Sequence, residues 1–352
     1  MKTFAMGGMV LIASAIGCSD DSTGSGGSGG SPPVELGWQV VFDNGELDRA
    51  LLSIWGTSQD SVFAAGGPLR NEGFSALALR FDGTGWKDLD AGGVDSFWWV
   101  HGTSDNDVWF VGENGRISHF DGTAFEEHVS GTTATLWGAY AFAPDDVWAV
   151  GGSVGGVATT PDDVVLHFDG SAWESVALPG EPLGRALFKT WGTSSEDLFI
   201  IGEAGVIWHY DGTTWENQSG DPPVATGNLT TVHGCAPDDV WAVGGRDILH
   251  YDGTAWTKET ISLGNDVNGV FCAAKGNVGI AGMGGLKLRL VDGEWVNEFT
   301  ADPHGDLHSI WADETGAFWV AGGEFISGVQ PNQPRNGIVA RYGDVLIPDT
   351  LE

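Results

Sequence analysis

One unit of about forty residues is spelled out seven times along this chain, and that repetition constrains the fold more than any other property of the sequence. A good template is APDDVWAVGGRDILHYDGTAW at residues 236–256, whose first ten residues also stand unchanged at 143–152. Related copies read SDNDVWFVGENGRISHFDGTAF (104–125) and SSEDLFIIGEAGVIWHYDGTTW (194–215). Longer insertions after the glycines mark the copies at 58–86 and 143–173, and residues 268–295 carry a worn one. A seventh starts at Ser309 and runs out at IVARYGD without a closing Trp.

Each copy predicts four short strands. The first contains a phrase such as SIWG (53–56), TLWG (135–138) or TVHG (231–234), which puts Trp55, Trp137, Trp191 and Trp311 at one repeat position, with His101 and His233 replacing Trp in two copies. The second is DVWAVG, in which Val and Trp alternate with smaller residues at the strand period of two. The third ends in Asp-Gly at Asp82, Asp121, Asp169, Asp211, Asp252 and Asp292, where glycine accepts the positive φ of a tight turn. The fourth opens on an aromatic: Trp86, Phe125, Trp173, Trp215, Trp256 and Trp295. The Asp-Gly pairs lie 39, 48, 42, 41 and 40 residues apart, the length of a propeller blade.

Six closing aromatics for seven copies leave one strand missing, and WQVVF (38–42), ahead of the first copy, supplies it. Placed beside IVARY (338–342), it completes the last blade and removes the edge that an open ring of sheets would leave. The expectation is an all-β, seven-bladed β-propeller over residues 34–352, its last blade closed by the N-terminal strand. The glycine pair, aromatic and Trp of Gly244, Gly245, Tyr251 and Trp256 are similar to kelch repeats. The order VWAVG…G.I.H.DG..W resembles photosystem II assembly-factor-like and BNR-like propellers of secreted bacterial proteins. These motifs specify a blade and no chemistry. The Asp-box SxDxGxTW is nowhere complete, and the second glycine is missing at Gly112-Glu113 and Gly202-Glu203, so no family activity is carried over.

Residues 1–17 resemble a bacterial lipoprotein signal: one Lys, an apolar stretch too short to span a bilayer, then Ala15-Ile16-Gly17-Cys18. The resemblance implies cleavage before Cys18 and its lipidation. An ordinary secretory signal with an incidental cysteine is the alternative. Residues 18–33 then form a Gly/Ser tether of roughly 20 Å average span. Matches to GxSxG and GxGxxG inside the tether lie between no strand and helix and carry no chemistry. Cys235 and Cys272 occupy nearly equivalent repeat positions; two small buried thiols are the favoured reading, with a disulfide the alternative.

The basic position of the third strand is His119, His167, His209 and His250 in four copies and Arg80, Arg289 and Arg341 in the other three. A donor in all seven copies reads as a blade-stabilising group, with the carboxylates of Asp107, Asp146, Asp197 and Asp239 or a backbone carbonyl as its expected acceptors. The acid pairs Asp145-Asp146 and Asp238-Asp239 read as turn residues, since they lack the alternating oxygens of a calcium loop. His101 and His233 read as packing where Trp otherwise packs, with the alternative that they face a central channel, and no third ligand is evident. No metal or other cofactor and no catalytic constellation is expected.

Loop length is the asymmetric feature. The first-to-second and Asp-Gly turns are uniformly short, whereas the long connections all join second to third or fourth to first strands, which emerge on one face. That face is the expected binding surface, with Arg70, Asn71 and Phe74 near Phe325, Asn332, Gln333 and Arg335 across the closure. The expected function is therefore non-catalytic binding of a protein or glycan partner by an exported, monomeric lipoprotein anchored to the cell envelope, with the outer membrane expected. A polysaccharide-acting hydrolase or lyase and a scaffold of an envelope complex are the alternatives. A net charge of −33, from 48 acidic and 15 basic residues, argues against nucleic acid.

Overall fold

The second strands of the blades, such as Asp107–Gly112 and Asp239–Gly244, are buried along both faces, because each sheet packs between two neighbours. In a computed structural model, described here for residues 36–44, 49–67, 75–155, 163–180, 184–324 and 336–343, the chain forms seven four-stranded antiparallel sheets. It is a seven-bladed β-propeller. Six sheets take four consecutive strands each. The seventh takes Asp306–Ala312, Phe318–Gly323 and Gly337–Gly343 and adds Gly37–Asn44 as its outer strand. Trp38 pairs with Tyr342 there, so the strand before the first copy closes the ring. Trp86 of blade 1 donates its indole N–H to the Val41 carbonyl of that closing strand at 3.2 Å, tying blade 1 to blade 7.

The hydrophobic core lies between blades. The second-strand aromatic of one blade meets the closing aromatic of the next edge-on: Trp109 with Trp173, Trp148 with Trp215, Phe199 with Trp256 and Trp241 with Trp295, at centroid distances of 5.6–6.1 Å. Edge-on pairs add about 0.5–1.5 kcal/mol each to the area they bury. In blade 6 the second strand carries Gly279 instead, where a Cβ would lie 2.7 Å from both Ile310 and Phe318 of blade 7.

The third-strand basic residue stacks on that aromatic from inside its own blade. His119, His167, His209 and His250 lie 4.0–4.5 Å from Trp109, Trp148, Phe199 and Trp241. Their Nε2 atoms lie 2.8–2.9 Å from Asp107, Asp146, Asp197 and Asp239. The three arginines follow the local supply of carboxylates. Blade 1 has Ser61 at the Asp position, and Arg80 reaches Asp105 of blade 2 at 2.9 Å. Blade 6 has Asn277, and Arg289 pairs with Glu298 at 2.6 Å and lies 3.8 Å from the centre of the Tyr342 ring. In blade 7 the turn residue Asp313 supplies the carboxylate to Arg341.

The Asp-Gly turns are longer than two-residue hairpins in five blades. In Phe81-Asp82-Gly83-Thr84-Gly85-Trp86, Asp82 Oδ1 accepts from the Thr84 and Gly85 amides while Gly83 sits at φ 84°. Hydrogen bonds from the Thr123 and Ser171 hydroxyls, with the same amide bonds, hold Asp121 and Asp169 below the usual carboxylate range, Asp169 at about 2, and the amide bonds lead at Asp211 and Asp252. Only the worn copy, with Val291 paired to Glu294 across Asp292-Gly293 at φ 52° and 82°, has the two-residue turn. The acid pairs belong to the neighbouring turn: a Cβ on Gly170 would lie 2.7 Å from the Asp145 Cβ, and one on Gly253 equally close to that of Asp238.

Cys235 and Cys272 are bonded to each other, with Cα atoms 5.4 Å apart, which corrects the expectation of two free thiols. The ladder shows why. Cys272 pairs with Val278, as Gly234 does with Val240, whereas Cys235 is the extra residue at the register shift between Gly234 and Ala236. The two cysteines are one step out of phase and bridge adjacent blades. Asp239 lies within 4.8 Å of both sulfurs, but bonded sulfurs offer no thiolate, and Asp239 is already engaged by His250 and Trp241.

Candidate functional site

Seven first strands surround the propeller axis, and the edge each turns toward its neighbour needs hydrogen-bond partners that no ladder provides. Side chains supply several. The Ser53 hydroxyl accepts from the Val100 amide at 3.1 Å, and the Ser309 hydroxyl from Ile54 at 3.3 Å. His101 Nδ1 accepts from the Ala141 amide and His233 Nδ1 from Cys272, at 3.0 and 3.1 Å. Burial lowers both imidazoles to about 3, so each is neutral with its proton on Nε2. They therefore join blade to blade rather than waiting for a metal.

The strand register corrects one alignment. Tyr140 pairs with Trp148 as Trp55 does with Phe63 and His101 with Trp109, so Tyr140 and not Trp137 holds the blade 3 position. Trp55, His101, Tyr140, Trp191, His233, Phe271 and Trp311 thus form an aromatic collar around a lower chamber of about 160 Å³.

Trp137 belongs to a second tier. Six first strands carry a bulge near their start, at Leu52, Trp98, Trp137, Phe188, Asn268 and His308, while in blade 5 Thr230 precedes the strand at the corresponding place. A bulge turns one extra side chain out of alternation, here toward the axis. These seven residues line an upper chamber of about 130 Å³. Since antiparallel strands place the start of the first strand beside the second-to-third and fourth-to-first connections, this chamber opens on the long-loop face.

Trp99, Lys189 and Thr231 line both chambers and form the waist between them. The Lys189 ammonium lies 4.3 Å from the centre of the Trp99 ring and donates to the Trp137 carbonyl. Burial alone brings Lys189 down to about 7, and burial with the nearby Lys189 brings His308 to about 4. Among the described residues lining either chamber the ionisable groups are Lys189, His101, His233, His308 and Tyr140, with no carboxylate, in a chain of net charge −33.

The sequence-predicted binding residues Arg70, Asn71, Phe74, Phe325, Asn332, Gln333 and Arg335 lie outside the described residues, as do Cys18 and the tether. Leu52, Trp98, Phe188, Thr230, Asn268 and His308 stand just ahead of the first-strand phrase, so the repeat by itself does not single them out. Their signal is an extra bulky or polar residue ahead of it, as in FWWVHG (97–102) and LFKTWG (187–192).

A comparison with protein-family models gives no match, and no curated protein matches the chain. Solved structures do. YCF48 from Cyanidioschyzon merolae aligns at a TM-score of 0.61 and 13% identity, over 87% of this chain and 98% of that one. The WD40 β-propeller domain of Doa1 gives 0.63 at 11% identity (86% and 97%), and a streptogramin B lyase 0.63 at 14% (86% and 97%). The likeness is one of fold. At such identities a common scaffold implies no common chemistry.

Proposed function

We propose that this chain is a non-catalytic binding propeller that engages a protein or glycan partner through the long-loop face, exported and held to the cell envelope by a lipid on Cys18 and the tether of residues 18–33. The observation that carries this reading is the channel mouth on that face, where Trp98, Trp137 and Phe188 converge with Asn268, Thr230 and His308. Aromatics beside a few polar groups suit both apolar side chains and sugar rings. The described lining of the two chambers holds no carboxylate, so the acid pair that the hydrolytic alternative requires is not found there.

The test is a glycan array and affinity capture with the full chain, followed by titration of each purified hit against Trp98→Ala, Trp137→Ala and the Arg70, Asn71, Phe325 and Arg335 alanine variants. Loss of about tenfold or more in affinity in folded variants supports the reading. A hit whose affinity all of them leave unchanged places binding elsewhere. Mass analysis of the envelope-extracted protein for a diacylglyceryl group on Cys18 tests the anchor separately.

A further inference from the structure

We propose that the upper chamber is a binding site for a small organic carboxylate with an apolar body, in which Lys189 receives the carboxylate. This goes beyond the long-loop reading and stands whether or not the loops above bind a macromolecule.

Two buried lysines in the same ring show what a structural ammonium looks like and how Lys189 differs. Lys287 is fully buried and spends all three donors on the carbonyls of Gly285, Ala301 and Pro303, at 2.8–2.9 Å. Lys189 is 9% exposed and makes one hydrogen bond, to the Trp137 carbonyl. Two of its donors remain for a ligand at the waist. Trp98 lines the same chamber, and its indole N–H is buried without an acceptor among the described residues.

Two of the neutral polar side chains lining the chamber are committed. Thr230 donates to the Val243 and Asn268 carbonyls, and the Asn268 amide to Met283 and the Leu307 carbonyl. The walls are Leu52, Trp98, Trp137 and Phe188. Surplus donors, no lining carboxylate and an apolar wall together select an anion whose remainder is apolar. The charged and titratable groups facing Lys189 are His308 in the upper chamber and His101, His233 and Tyr140 in the lower, all held neutral near pH 7, so a bound carboxylate supplies the counter-charge that the protein lacks.

The probes are benzoate and its neutral isostere benzamide, titrated calorimetrically into the full chain. Benzoate is expected to bind at least about tenfold more tightly than benzamide, since a charge-assisted pair in a dry site is worth that much or more. Lys189 must be protonated in the complex, so at pH 8 binding takes up a proton and the heat varies with the buffer's ionisation enthalpy; at pH 5.5 that variation vanishes. Lys189→Met, checked for native circular dichroism, should lose the preference for benzoate while still admitting benzamide. Equal affinity for the two probes, no benzoate binding at millimolar concentration, buffer-independent heat at pH 8, or an unchanged preference in folded Lys189→Met would each overturn the assignment. Should that variant not fold, the wild-type comparisons decide alone.

Discussion

The guanidinium of Arg341 lies 2.8 Å from the carboxylate of Asp313, with the two side chains 4% and 0% exposed, inside the blade that joins the chain's two ends. Burial opposes ionisation of Asp313, yet hydrogen bonds from Thr315, Trp319 and Arg341 outweigh it and hold the carboxyl below its usual range. Removing one partner leaves a buried charge alone, so Arg341→Ala should destabilise by about 3–5 kcal/mol in urea unfolding. His167→Ala, whose pair is about one-third exposed, should cost no more than about 1 kcal/mol. Similar losses in both variants would mean that the closing blade gains nothing special from its ion pair.

Reduction of Cys235–Cys272 should destabilise the ring by about 4 kcal/mol, the chain-entropy value for a crosslink spanning 37 residues. Thermal unfolding with and without a reductant, against a Cys235→Ser/Cys272→Ser variant, measures it. The reduced wild type and the variant should agree within about 1 kcal/mol.

Lys189→Met should stabilise the protein by about 2 kcal/mol at pH 6. The folded lysine titrates near 7 and the unfolded one near 10.5, so below pH 7 both are charged and the folded state bears the burial of an ammonium. Between these values the unfolded chain binds more protons, wild-type stability rises with pH, and the variant's advantage shrinks. Urea unfolding at pH 6 and pH 9.5 gives the two differences; a gain that grows with pH contradicts the buried neutral amine.

Acid should act through the channel histidines. His101 and His233 titrate near 3 when folded and 6.5 when unfolded, and His308 near 4, so between these values the unfolded chain holds more protons and stability falls as pH falls. Melting temperature should therefore decline from pH 6.5 downward. In His101→Phe/His233→Phe the decline should be shallower, although loss of the acceptors for the Ala141 and Cys272 amides lowers the plateau. A slope equal to that of the wild type would assign the acid limb to other groups.

Blade number, ring closure by Trp38–Phe42 and the pairing of third-strand base with second-strand acid were legible because each is a local pattern repeated at nearly fixed spacing. The phase of one copy was not. TLWG at 135–138 imitates the first-strand phrase but lies three residues ahead of its true place, and only the cross-strand pairing of Tyr140 with Trp148 shows which aromatic reaches the collar. The disulfide rests on an offset of one position, with Cys235 at the bulge of its strand and Cys272 just before the bulge of the next, which the repeat spacing alone does not reveal.

What the sequence by itself determined is the scaffold: a strand pattern with a period of two and a blade period near forty leaves little freedom in how such sheets pack. What the tertiary structure alone decided is the site. The chamber is assembled from all seven blades, with lining residues up to about 250 positions apart in the chain. Lys189 gains its properties only there, because desolvation depends on what the other six blades place around it.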